Sequence, residues 1–95
     1  MSNQTADIKN SISRYLSMRE HSRKELIDKL SKKYFEMDLI LQCIDEFSTK
    51  NLQSDDRYTE SFVRSKYNNH KGPNFISASL KSKGVSESII DNVLS

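Results

Sequence analysis

Residues 22–30 read SRKELIDKL and residues 72–80 read GPNFISASL, and the two stretches are one pattern written twice. In the first, Ser22 can accept the amide of Glu25 while the Glu25 carboxylate reaches back to the Ser22 amide, a capping box that opens a helix. Leu26 and Leu30 then fall one turn apart on the same face. Fifty residues on, Gly72 stands for Ser22, Ile76 for Leu26 and Leu80 for Leu30. Pro73 takes a first-turn position, where its missing amide costs nothing. The register continues outward: Leu39 and Ile40 correspond to Ile89 and Ile90, and Ile44 to Leu94. The segments before the two stretches align at a shift nearer 47, so the second unit holds a few extra residues around NNHK, residues 68–71.

Helical spacing of apolar residues divides the chain into six segments. The first shows Ile8, Ile12, Tyr15 and Leu16; the second Leu26, Ile27, Leu30 and Tyr34; the third Leu39, Ile40, Ile44 and Phe47. The fourth starts at SDDR with Ser54 or Asp55 as its cap and turns Tyr58, Phe62, Val63 and Tyr67 inward. The fifth turns in Phe75, Ile76 and Leu80 and ends at Gly84 in a left-handed conformation. The sixth, capped by Ser86, carries Ile89, Ile90, Val93 and Leu94. The pattern predicts an all-α fold of two tandem three-helix repeats, residues 1–52 and 53–95, elongated and joined by an apolar seam. Residues 1–6 read as a flexible tail. A period of this size marks modules too small to bury their faces without neighbours.

The totals agree. Leu, Ile, Val and Phe number 23, enough for a thin core, and two Gly with one Pro leave too few tight turns for a strand meander. No run of 18 apolar residues can span a membrane. The N-terminus MSNQTADIKN lacks a signal peptide's apolar core. The single Cys43 excludes an internal disulfide and fits a reducing cytoplasm.

Charge is zoned. Residues 14–33 carry seven basic and three acidic groups and residues 34–60 carry two and seven. Residues 61–86 carry five and none, and residues 87–95 none and two. Carboxylates missing from 61–86 would repel an anionic partner, so Arg64, Lys66, Lys71, Lys81 and Lys83 form the first candidate binding surface. Asn68, Asn69 and Ser77 can add bonds to phosphate oxygens. Tyr67, beside the basic loop, is the one aromatic offered as a contact. Arg19 and Arg23, with Arg14 and Lys24, form a second basic cluster that Glu20 and Glu25 dilute. The acidic zone matches no EF-hand spacing and serves helix starts and solubility. His21 and His70 precede helix starts without a metal partner or a nucleophile motif, and Cys43 reads as a small core residue. No enzyme, metal or cofactor is expected.

Beside this reading stands a resemblance. SRYLSMREHSRKELIDKLSKK, LQSDDRYTESFVRSK and KGPNFISASLKSKGVSESIIDNVL resemble the RecX family of bacterial recombination regulators. The positions that carry the likeness are Leu16, Arg19, Ser22, Glu25, Leu26, Asp55, Asp56, Arg57, Phe62, Val63, Arg64, Gly72, Pro73, Ile76, Leu80, Lys83 and Gly84. The resemblance covers nearly the whole chain after residue 8. It implies a non-enzymatic partner of the RecA recombinase that lies along its filament on single-stranded DNA, suppresses ATP hydrolysis and strand exchange, and promotes filament loss. Family members usually carry three such units, against two here, so the family's full inhibitory strength does not carry over. The other reading is a small helical module that binds DNA directly with little sequence preference.

Overall fold

The computed structural model describes residues 3–95. Six α-helices follow one another: α1 Gln4–Met18, α2 Arg23–Ser31, α3 Met37–Thr49, α4 Asp55–Asn68, α5 Pro73–Ser82 and α6 Glu87–Leu94. Among the described residues there is no strand. The molecule is elongated, 49 × 22 × 20 Å. No helix among the described residues is long and apolar enough to cross a membrane.

The caps account for most boundaries. Ser22 and Glu25 form the predicted box, with the Glu25 amide donating to Ser22 Oγ and the Ser22 amide to Glu25 Oε1, each at 3.1 Å. Ser54, not Asp55, caps α4 by accepting the Arg57 amide at 3.1 Å, and Ser86 caps α6. Three helices end on a left-handed residue: Asn51 after α3, His70 after α4 and Gly84 after α5. At Gly84 the Val85 amide returns to the Leu80 carbonyl and the Gly84 amide to Lys81, so the orphan carbonyls of the last turn are satisfied. The expected tail is helical from Gln4. Asn3 accepts the Ala6 amide at 3.2 Å, and Gln4 Oε1 accepts the Glu36 amide at 3.0 Å, which ties the start of α1 to the start of α3. Met1 and Ser2 lie outside the described residues.

Two apolar clusters hold the units. Ile8, Ile12, Leu26, Leu30, Ile40, Cys43 and Ile44 pack between α1, α2 and α3. Tyr58, Val63, Ile76, Leu80, Val85 and Ile90 pack between α4, α5 and α6. Leu26 and Ile76, Leu30 and Leu80, all fully buried, occupy corresponding positions. Three expected core residues are not in the core. Tyr34 is fully exposed, because α2 stops at Ser31 and the turn carries the chain past it; Phe35 packs on the cluster instead. Tyr67 is 47% exposed, because the inner face of α4 continues from Phe62 and Val63 to Lys66, whose ammonium lies over the Phe62 ring. Phe75 is 49% exposed, since the face of α5 is centred on Ile76 and Leu80.

The expected apolar seam between units is a polar joint. Ser22 Oγ donates to the Lys83 carbonyl at 2.9 Å and the Arg23 amide donates to Asp55 Oδ1 at 2.8 Å. Buried Gln53 uses its whole amide: Nε2 donates to the His21 carbonyl at 3.2 Å and to Asp55 Oδ1 at 3.0 Å, and Oε1 accepts from Ser48 Oγ at 2.6 Å. Arg57 Nε reaches Glu20 Oε2 at 2.7 Å. The reason is local: helix ends meet here, and their unpaired amides and carbonyls demand polar partners that an apolar contact cannot supply. Lys24 packs its stem against Gly84, where an added Cβ would stand 2.7 Å from Lys24 Cβ.

Gly84→Ala therefore combines a left-handed φ of 78° with that contact, and should lower unfolding stability by at least about 1–2 kcal/mol in urea titrations. A variant as stable as the parent would mean that the α5 turn and Lys24 do not meet. His70→Gly, at a φ of 61°, should shift stability the other way, by a few tenths to about 1 kcal/mol.

Candidate partner-binding surface

The eight sequence-predicted residues separate into two groups. Arg64, Lys66, Tyr67 and Lys71 lie together on the second half of α4 and the turn after it. Arg64, Tyr67 and Lys71 are exposed and Lys66 is half-buried. Lys66 Nζ stands 5.2 Å from the Phe62 ring centre and Lys71 Nζ 5.2 Å from that of Phe75, geometry in which the ring face attracts the cation. Among the described residues, Arg64, Lys66 and Lys71 have no carboxylate oxygen within 4.0 Å. Asn68 and Asn69 are exposed beside them, and Ser77 is half-buried on α5.

The other four cations are already engaged. Arg19 grips Glu25 with both guanidinium arms, at 3.1 and 3.0 Å, and donates to the Glu20 carbonyl at 2.8 Å. Arg23 pairs with Asp45 at 2.5 Å, Lys81 with Glu87 at 3.3 Å, and Lys83 lies 4.0 Å from Glu25. Arg19 and Arg23 thus serve the joint, one through its side chain and the other also through its amide. A cleft of about 360 Å³ opens between the units, with Arg19, Glu25, Tyr58, Phe62, Lys66 and Lys83 among its walls. It connects the joint to Lys66 of α4.

The joint also sets protonation. Burial pushes the Tyr58 hydroxyl up to about 12, with the Glu25 charge adding to it, so it stays neutral. Burial alone would raise Glu25, but the Arg19 guanidinium and the Ser22 amide outweigh it and hold the carboxyl below its ordinary value of 4.5. The same bond raises Arg19. His21 is fully enclosed against Tyr15, and its tautomer is fixed by its neighbours. A carbonyl can only accept, so Nδ1 donates its proton to the Arg19 carbonyl at 3.0 Å. An ammonium can only donate, so Nε2 is the bare nitrogen that accepts from Lys29 at 3.0 Å. Burial, with the Arg19 and Lys29 charges, holds His21 below its ordinary 6.5.

Sequence periodicity did not point to His21 or Gln53, because both sit in turns. Among the described residues no cluster of three His, Cys, Asp or Glu could hold a metal ion. Cys43 is buried in the first core, and burial raises its thiol.

The two halves of this geometry match known protein families separately. Residues 9–47 match the family description RecX, first three-helix domain, and residues 54–94 match RecX, second three-helix domain. The chain belongs to the RecX family. It is 34% identical over 94 residues to the regulatory protein RecX of Chromohalobacter salexigens, covering 99% of this chain and 62% of that one. It is 33% identical over 81 residues to that of Halorhodospira halophila, covering 85% and 50%. The crystal structure of RecX from Lactobacillus salivarius superposes with a TM-score of 0.89 at 32% identity, covering 99% of this chain and 62% of that one. A second RecX crystal structure gives 0.88 at 28% identity, covering 97% and 47%. The chain spans about half the length of the curated relatives it matches. The tandem helical architecture is therefore that of solved RecX proteins.

His21 gives this RecX chain a testable pH response. The folded state refuses a proton that the unfolded chain accepts below 6.5, so stability is full above that value and falls as pH drops beneath it. Glu25, depressed from 4.5, contributes stability that is lost only below 4.5. Urea midpoints should fall from about pH 7 to about pH 5, and His21→Gln should flatten that slope. An unchanged slope in the variant would assign the titration to another group.

Proposed function

We propose that this chain is a regulator of the RecA recombinase. It docks on the RecA filament on single-stranded DNA and lowers its ATP hydrolysis and strand exchange. The observation that carries the docking site is the division among the candidate cations. Arg64, Lys66 and Lys71 have no carboxylate partner among the described residues, whereas Arg19, Arg23, Lys81 and Lys83 each face one. An exposed cation that its own chain leaves unneutralised keeps its field for an anionic partner, and like-charged clusters speed and orient such encounters. Tyr67 and Phe75, both about half exposed, lie within this face and supply apolar contact area. Membership in a family whose relatives are named regulatory proteins supports the choice of partner class. On this reading the protein acts by binding and the chain supplies no chemistry of its own.

The test is RecA's DNA-dependent ATP hydrolysis on preformed filaments, titrated with this chain. A concentration-dependent fall is expected. Arg64→Glu with Lys66→Glu should abolish the fall while the circular-dichroism helix signal stays at the parent's level. Inhibition by the folded double variant equal to the parent's would remove these residues from the site. No inhibition by the parent would overturn the RecA reading for a chain of this length.

A further inference from the structure

Outside that face, the first unit carries a second set of cations that the filament reading does not use. Arg14 Cζ stands 5.6 Å, Lys29 Nζ 4.8 Å and Lys33 Nζ 5.8 Å from the centre of the Tyr15 ring. They arrive from different elements: Arg14 and Tyr15 from α1, Lys29 from α2 and Lys33 from the turn behind it. Among the described residues none of the three has a carboxylate oxygen within 4.0 Å. Two are fixed by neutral partners instead, Lys29 by His21 Nε2 at 3.0 Å and Lys33 by Ser11 Oγ at 3.4 Å. The negative end of the α2 dipole accounts for positive charge on Lys29 and Lys33. It does not account for Arg14, drawn from another helix to the same ring. Three like charges around one aromatic repel each other until an anion joins them.

We propose that Arg14, Lys29 and Lys33 around Tyr15 form a contact for the phosphate backbone of a single-stranded nucleic acid. Arg14 and Lys33 hold phosphate oxygens, Lys29 is positioned by His21, and the half-buried Tyr15 ring receives a base or sugar. A lone side-chain carboxylate would neutralise one of three cations. A strand brings one charge per nucleotide and a flat base with each, which is what a groove of cations over an aromatic takes up without sequence preference. The second unit does not repeat the trio: at the shift of 47 Arg14 corresponds to Ser61, and at the shift of 50 Lys29 corresponds to Ser79. Phe62, at the place of Tyr15, lies under Lys66, and Lys83, at the place of Lys33, lies 4.0 Å from Glu25, so the unpaired trio belongs to the first unit.

The experiment needs no RecA, so its outcome is independent of the filament reading. Fluorescence anisotropy of a labelled oligothymidylate would be followed with the unaltered chain from about 50 to about 200 mM salt. Arg14→Gln with Lys33→Gln should flatten the slope of log affinity against log salt by about 1.4, two lost phosphate contacts at about 0.7 each. Arg14 and Lys33 are exposed, so the variant keeps the parent's circular-dichroism spectrum and urea midpoint. Lys9→Gln with Lys50→Gln removes the same net charge elsewhere and should leave the slope at the parent's value. Equal flattening in both doubles would reduce the site to bulk charge and overturn it. No binding of the oligonucleotide by the unaltered chain would overturn it too, while leaving docking on the RecA filament untouched.

Discussion

One hydroxyl holds the two units in register. Ser22 is fully buried, and its oxygen accepts the Glu25 amide while its proton goes to the Lys83 carbonyl at the far end of another helix. The Glu25 carboxylate answers by taking the Ser22 amide and then both arms of Arg19. The positive start of α2 thereby meets the negative finish of α5, and the bond that closes one helix opens the other. Each such bond contributes only about 0.5–1.5 kcal/mol net, but a buried group left without its partner costs more than the bond gives. Removing the box would therefore uncap α2, orphan a carbonyl of α5 and release Arg19 together.

The second unit cannot make the same joint on its own corresponding face. Gly72 stands where Ser22 stood and has no hydroxyl; Pro73 stands where Arg23 stood and has no amide to give. A Cβ at Gly72 would meet nothing within 4 Å, so no close contact demands glycine there. The corresponding face is open: Gly72 and Pro73 are exposed, as are Lys71 before them and Phe75 after. The two units share a fold, yet their equivalent surfaces do different work: one is sealed by polar bonds to its neighbour, the other faces solvent with its charge unspent.

How far the sequence was legible follows from what periodicity can see. Ile8, Ile12, Leu26, Leu30, Ile40, Ile44, Ile76, Leu80 and Ile90 recur at helical spacing and are all buried, because the helix itself makes spacing into geometry. The caps were legible for the same reason, since Ser22, Ser54 and Ser86 act on amides two or three residues away. Residues past a helix end follow no period. Tyr34, expected inside, is exposed while Phe35 packs on the first core, and Val85 enters the second core from the turn after Gly84. The joint was least legible, because Ser-x-x-Glu looks the same whether it caps one helix or bridges two, and the bond from Ser22 to Lys83 spans 61 residues. Among the candidate cations, sequence showed where carboxylates are missing. It could not show that Lys83 lies near Glu25, or that Arg14 and Lys33 converge on Tyr15.

That convergence and the polar joint have a common cause. With only three short helices per unit, the cores bury just seven and six apolar side chains, and the remaining helix surface must stay polar. Cations spread over such a surface would be solvated singly. Here the fold gathers three of them over the half-covered Tyr15 ring in one unit and sets Lys66 over the half-covered Phe62 ring in the other. A ring face partly offsets the repulsion while leaving the hydrogen-bond donors of the ammonium groups free to turn outward. The arrangement keeps charge concentrated without the carboxylates that would cancel it, so its attraction for a polyanion is retained and weakens as salt is added.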